Sequence, residues 1–548
     1  MQNNSVKERD KFYFKLALPA LILTFFVFLL PLFSVLMRAF QKGPEAVLDT
    51  FKDIYTWRLL AFTVWESFLS AIISVTLALP FAVFSSKYSF FGRKAILTAS
   101  DVAFALPAIL CVLGFVIFYG NNGILNNLLL SLGLREKSIK FLYSFPSVIM
   151  AHVYLNFPVA FSLIASALSG MDEKEEMASR LLGKSSLYTF FKITVPKAKG
   201  SIISAFILIF LFCFPSFLIV MSLGGSPKYY TIEAEIYRRT YTDVNTVSSS
   251  SLALFSFVIM SLLLLISGYG REVKKVSRSK RVIKKAKGMK LLLAFVLSLL
   301  IVLFLLPPLL SIVYRAFFTK DGTFTLKAWN DILSRSPTGA GTGIEAIINS
   351  LIIAFTSSFL AVSLSTAISV SAVRRKSRLI PLLTSLPMAA GSVTLGLGFA
   401  FISAYLPYKS IYFSYITVIL AHLVVVMPFT VRTIMPGAKR IPNALPLASM
   451  CLGKGFYESY RKVEKPMLKS YRRRAFAFAF ALSLGEVNAT MALAEGKVTT
   501  LPILIYKMIN QYNYQGASAL AIILLATAII VFAFGEKEDK ENVISGNK

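Results

Sequence analysis

Apolar residues in this chain neither alternate nor recur every three or four positions; they run on for roughly twenty residues at a time, separated by short polar or basic stretches. Runs of that length suit helices that cross the hydrocarbon layer of a bilayer. Twelve are expected, near 14–36, 60–84, 95–119, 144–168, 202–222, 251–269, 289–313, 347–372, 379–403, 411–434, 474–494 and 516–534. The predicted fold class is therefore all-α integral membrane, with twelve transmembrane helices arranged as two parallel six-helix repeats in one chain, for reasons given below. The first run is too long for a typical signal-peptide core and no small-x-small cleavage site follows it, so it reads as a retained signal anchor.

Composition agrees with that pattern. Hydrophobic residues make up 56% of the chain, with 47 Phe, where a soluble domain carries about 45–50%. A net charge of +31 would point to nucleic acid in a soluble protein, but its distribution gives it another meaning. The segment 271–290 holds ten Lys or Arg against one acid, and 437–474 holds ten more basic residues, while 39–58, 223–250 and 316–346 are balanced at three against three. Short basic loops stay in the cytoplasm, so the basic segments face inward and both termini are expected to be cytoplasmic. Topology thus accounts for the charge and no nucleic-acid partner is needed. Cys111, Cys213 and Cys451 have the spacing of neither a disulfide framework nor a zinc site.

Sliding the sequence against itself by 270 residues aligns "AHVYLNFP" at 151–158 with "AHLVVVMP" at 421–428, and "ASRLLGK" at 178–184 with "ASMCLGK" at 448–454. The same shift pairs Lys192 with Lys462, Pro196 with Pro466 and Lys199 with Lys469. Nearer the two starts, "LLPLFSVLMRAF" at 29–40 meets "LPPLLSIVYRAF" at 306–317, offset by 277. A duplication with later changes in loop length explains both offsets. The expected division is a first repeat at 1–270, a basic tether at 271–290, a second repeat at 291–535 and a tail at 536–548. Because each repeat has an even number of spans, the repeats share an orientation and are related by an axis along the membrane normal, a natural place for a pathway.

After the fourth span of each repeat comes a cytoplasmic segment, "MDEKEEMASRLLGKSSLYTFFKITVPKAKG" at 171–200 and "NALPLASMCLGKGFYESYRKVEKPMLKS" at 443–470. The first reads as a short helix with acids in its first turn, stopped by Gly183, then a second amphipathic piece and a proline opening the next span. Its form suits docking in a groove of another protein. The pattern of Glu-Ala-Ala, three residues, Gly, and an apolar-Pro pair about a dozen positions later resembles the coupling loop of binding-protein-dependent ABC importer permeases. The twelve spans, "SLGG" followed by "TIEAEIY" at 222–237, and "SLGE" followed by "TTLPILIY" at 483–506 look most like the fused ferric iron and thiamine permeases. The resemblance implies a permease subunit in a bacterial or archaeal cytoplasmic membrane. It would work with two cytoplasmic ATPase subunits and an extracytoplasmic substrate-binding protein, and bind no cofactor itself, ATP being held by the partner subunits. It also implies that Glu176, Ala178, Ser179, Gly183, Lys184 and Pro196 form one ATPase-coupling loop, and Ala448, Ser449, Gly453, Lys454 and Pro466 the other. Met177 and Leu447 replace the first Ala of the pattern, and Pro446 replaces the second loop's Glu.

"GKS" at 183–185 lacks the Gly that a phosphate-binding loop needs five positions earlier, where Ala178 stands. The competing reading is a secondary transporter of the major facilitator type; its signature is reduced here to Gly92, Arg93 and Lys94, with Ser89 and Phe90 where Asp and Arg belong. No catalytic constellation is present. His152 and His422 lie within apolar runs, where interhelical hydrogen bonding is the expected role and metal binding by the pair the minor one. Glu486 stands 12 residues after Arg474, roughly 18 Å into the membrane on a helix, and an intramembrane acid points to function. It matches Ser216 in the 270-residue register. Glu486, Asn488 and Ser216 are the expected lining of a path for a cationic substrate, ferric iron or thiamine.

Overall fold

A computed structural model describes residues 2–93, 96–97, 106–225, 227–266, 283–333, 342–377, 379–405, 410–493 and 498–536. Parts of the expected third and sixth spans, residues 271–282 of the tether and 537–548 of the tail lie outside them. We number the twelve principal helices in chain order. The first six are α1 Gln2–Ala39, α2 Ile54–Lys87, α3 Ala108–Tyr119, α4 Phe145–Ser169, α5 Val195–Cys213 and α6 Thr246–Ile266. The second six are α7 Met289–Phe317, α8 Gly343–Arg374, α9 Ser392–Tyr405, α10 Ile411–Arg440, α11 Lys469–Leu484 and α12 Tyr514–Glu536. Among the described residues ten helices are long and apolar enough to cross a membrane, and a bent pair, Leu379–Ala389 with Ser392–Ala404 at 82°, makes an eleventh. The break falls at Ala390 and Gly391, just past a tight turn, Leu386–Ala389, that contains Pro387.

The remaining expected span, 474–494, is not continuous. The helix α11 stops at Leu484 and a short helix, Asn488–Leu493, follows. The first repeat does the same: α5 ends at Cys213 and Leu218–Leu223 follows. The breaks coincide at Pro215 and Gly485, 270 residues apart. One lacks an amide hydrogen and the other lacks a side chain to hold the helix, two different ways of interrupting the same span.

The chain packs as two compact units, and each draws on both repeats. One comprises Met1–Asp53, Glu235–Leu264 and Ala316–Lys548; the other comprises Ile54–Ala234 and Leu265–Arg315. The first helix of each repeat thus packs within the core of the other repeat. In the first unit α1 lies against α9, where Gly398 sits so close that an added Cβ would be 2.3 Å from the Pro31 carbonyl oxygen. Ser34 Oγ donates to the Gly398 carbonyl at 2.7 Å. In the second unit α7 lies against α3 in the same way: a Cβ on Gly114 would be 2.7 Å from the Pro308 oxygen. Ser311 Oγ donates to the Gly114 carbonyl at 3.4 Å. Pro31 and Pro308, and Ser34 and Ser311, are 277 residues apart, so the offset found in the sequence reappears as one packing motif built twice. Small residues at such crossings let helix backbones approach, which is how helices associate where lipid removes the hydrophobic drive.

Candidate functional site

The segment between α4 and α5 folds as two short helices around a glycine. Lys174–Leu181 begins with Glu175 and Glu176 in its first turn, favourable to the helix dipole. It ends where Gly183 adopts φ +74°. The Gly183 amide donates to Arg180 O at 3.0 Å and the Lys184 amide to Ser179 O at 3.1 Å, closing the helix with a left-handed cap that other residues take at a cost. Ser185 then caps the next helix by accepting from the Tyr188 amide at 3.2 Å. A π-helical turn, Phe190–Thr194, leads into α5, with Pro196 in its first turn.

The side chains divide into an inner and an outer set. Ser179 meets Thr189 through their hydroxyls at 2.9 Å. Glu176 is buried, pairs with Lys87 Nζ at 2.8 Å and accepts from Thr194 Oγ1 at 2.8 Å. Outside stand Met177, Leu187, Tyr188 and Phe191, with Leu181 88% and Leu182 77% exposed. Ala178, Gly183, Lys184 and Pro196 are exposed too, and Lys184 Nζ lies 5.3 Å from the centre of the Tyr188 ring. Adjacent large apolar side chains left in water mark an interaction surface.

The segment between α10 and α11 repeats this geometry. Ala444–Cys451 ends at Gly453, φ +79°, with Gly453 N donating to Met450 O at 3.0 Å and Lys454 N to Ser449 O at 3.2 Å. The π-helical turn recurs at Tyr460–Glu464, and Pro466 follows in the first turn of Lys465–Met467. Leu445, Leu447 and Tyr457 are exposed and Leu452 is 82% exposed; Ala448, Gly453, Lys454 and Pro466 are exposed as well, with Ser449 half-buried. Burial pushes the Tyr460 hydroxyl up to about 12, so it is neutral at ordinary pH. Pro446, in the place of Glu176, is buried, and the buried acid of this loop is Glu464, the counterpart of Thr194. Glu464 Oε1 accepts from Arg374 Nε at 2.6 Å and its Oε2 from the Tyr13 hydroxyl at 2.8 Å.

Each histidine is satisfied inside its own unit. His152 on α4 bonds Glu66 on α2 through Nδ1 and Ser216 Oγ through Nε2, the latter at 2.8 Å. Ser70 Oγ also donates to Glu66 at 2.8 Å. His422 on α10 meets Ser483 Oγ at 2.8 Å and Thr490 Oγ1 at 2.7 Å. The expected interhelical role accounts for both imidazoles. At the broken fifth spans Ser216 stands just past Pro215, and Glu486 just past Gly485. Glu486 accepts from the Ala489 amide at 2.9 Å, capping the short helix. Asn488 Nδ2 donates to Ser392 Oγ at 3.2 Å, while Asn488 Oδ1 is buried without a partner among the described residues.

Sequence reasoning missed Glu66, Lys87, Arg374 and Glu464. Glu66 carried the same signal as Glu486, an acid within an apolar run. Glu464 could have been found by asking which residue makes up for Pro446 in the 270-residue register.

The family model for binding-protein-dependent transport system inner membrane components matches residues 74–271. The thiamine transport system permease protein ThiP of Escherichia coli is 27% identical over 516 residues, 90% of this chain and 91% of that protein. Its counterpart of the same name in Haemophilus influenzae is 25% identical over 488 residues, covering 88% and 89%. The sulfate transport system permease protein CysW of Escherichia coli is 22% identical over 243 residues, 44% of this chain and 82% of its own.

Proposed function

We propose that this chain, which belongs to the inner membrane components of binding-protein-dependent transport systems, imports thiamine. It is the multi-pass inner-membrane permease subunit of an ATP-driven importer; ATP is hydrolysed by a separate subunit and substrate is delivered by a binding protein. Thiamine is preferred to ferric iron because the relatives that span about nine-tenths of the chain carry that name. No observation favours a major facilitator mechanism.

The finding that carries the coupling role is the pair of helix–glycine–helix segments, each presenting exposed apolar side chains in the same 270-residue register: Met177 with Leu447, Leu182 with Leu452 and Leu187 with Tyr457. We assign Ala178, Gly183, Lys184 and Pro196 to the docking loop of one repeat, and Ala448, Gly453, Lys454 and Pro466 to that of the other, with Glu176, Ser179 and Ser449 belonging to the same loops. Two loops imply two ATPase subunits. The basic charge beside them supports a cytoplasmic position for the loops and both termini, and we assign duplicated repeats at 1–270 and 291–535, joined by the tether 271–290 and followed by the tail 536–548. Closure of the ATPases on ATP would move both loops and tilt the spans they enter, switching access from one side to the other. Ser216, Glu486 and Asn488 are assigned to the path, since each stands at a broken span where backbone groups are freed inside the membrane. The carboxylate of Glu486 and the unpartnered Oδ1 of Asn488 suit a cation.

Co-expression with the cognate ATPase tests the assignment. The expected result is a purified complex whose ATP hydrolysis rises when thiamine-loaded binding protein is added; a permease that purifies without the ATPase would overturn it.

A further inference from the structure

The two loops carry their buried acids on opposite sides. In the first, the acid is Glu176, third residue of the leading helix Lys174–Leu181, and position 194 is a threonine that donates to it. In the second, the leading helix has Pro446 at its third position, and the acid is Glu464, at the position of Thr194. Yet both acids meet a base at the same place, the last turn of the second helix of the repeat: Lys87 of α2 at 2.8 Å and Arg374 of α8 at 2.6 Å. Arg374 also donates to Asn443, just ahead of the loop's leading helix. Glu464 also accepts from the Tyr13 hydroxyl of α1 at 2.8 Å. Beside that bond Phe12 stacks on Phe456 of the loop with ring centres 5.5 Å apart.

We propose that Glu176 and Glu464 are one strut installed from opposite sides: each ties its coupling loop to the end of α2 or α8, and neither is a contact to the ATPase. The proposal rests on the coupling role assigned above. These residues position the loop and transmit its displacement. A buried ion pair fits that task, because breaking it leaves a charge unpaired in low dielectric, so loop and span move together or not at all. The docking face is left to the exposed leucines. In the second repeat the strut includes α1, so displacement of that loop carries the first helix of the chain. The substitution of Pro446 for the family's glutamate is thereby explained: the acid is present but has crossed to the other side of the loop.

The test moves the acid. Glu464→Thr should lower thiamine uptake by the reconstituted complex by at least roughly tenfold and raise the ATP hydrolysed per thiamine. Adding Pro446→Glu, which recreates the arrangement of the first repeat, should restore both to within about threefold of the parent. Arg374→Met with Glu464→Gln removes both charges without stranding either, and should assemble with the ATPase but remain uncoupled. Glu176→Gln should still bind the ATPase. Failure of Pro446→Glu to rescue, parental coupling in the doubly neutral variant, or loss of ATPase binding in Glu176→Gln at unchanged melting temperature would each overturn the strut. Melting temperature in detergent reads the same pairing without transport: Glu464→Thr should lower it and Pro446→Glu restore it whatever the chain imports. Failure of the strut and failure of the transport assignment are therefore separate results.

Discussion

Replacing Gly398 by alanine should separate α1 from α9. The added Cβ would stand 2.3 Å from the Pro31 carbonyl oxygen, 2.7 Å from its carbonyl carbon and 2.7 Å from its Cβ. All three belong to backbone or a proline ring, so no rotamer change relieves the clash, and the helices must part by about an ångström to reach ordinary contact distance. Overpacking of this kind costs about 1–3 kcal/mol. The 2.7 Å bond from Ser34 to the Gly398 carbonyl weakens as the helices part, adding about 0.6 kcal/mol at the average for interhelical hydrogen bonds in membranes. A total of roughly 1.6–3.6 kcal/mol corresponds to a fall of about 2–5 °C in apparent melting temperature for a unit of roughly 300 residues. The assay is thermal unfolding in detergent followed by size-exclusion chromatography. Gly114→Ala should give a smaller fall, its Cβ being 2.7 Å from Pro308 O, and Gly455→Ala, which meets nothing within 4 Å, should give none. Gly398→Ala melting with Gly455→Ala would refute the close crossing and with it the duplicated packing motif.

The leucines proposed to dock the ATPase would each contribute about 1.5–3 kcal/mol on burial, so Leu181→Asp with Leu182→Asp should weaken ATPase binding by at least roughly a hundredfold, measured by titration with the purified subunit. Glu486→Gln should reduce thiamine uptake and thiamine-stimulated ATP hydrolysis while preserving assembly; unchanged rates would remove Glu486 from the path. Burial alone would raise the carboxyl of Glu235, but hydrogen bonds from Arg238 and Arg239 outweigh it and hold the group below its ordinary value. Its stabilising contribution is therefore complete above the unfolded value of about 4.3 and is lost as pH falls through the lower folded one. Melting temperature should drop in that acid range, and by less in Glu235→Gln.

The spans and the duplication were legible because lipid imposes a length and a composition on each helix, and because matches such as His152 with His422 and Gly183 with Gly453 recur at one offset. The breaks in the fifth spans were not. Pro215 and Gly485 sit within apolar runs, and hydropathy averages over a break that only the loss of backbone hydrogen bonds reveals. The loop caps followed from Gly183 and Gly453, whose positive φ few other residues tolerate. By contrast, that Glu176 points inward depends on Lys87, 89 positions earlier. The compensation of Pro446 by Glu464 depends on Arg374, whose helix end comes beside the loop only in the folded chain. Local pattern fixes where a loop turns; which of its faces is buried is decided by distant partners.

Uptake of labelled thiamine into proteoliposomes tests the central claim most directly. With the ATPase enclosed with ATP and binding protein outside, the account predicts accumulation that stops when the ATPase, the nucleotide or the binding protein is omitted, and that Leu181→Asp with Leu182→Asp prevents. Accumulation that persists without ATPase and nucleotide, driven by an ion gradient alone, would contradict it.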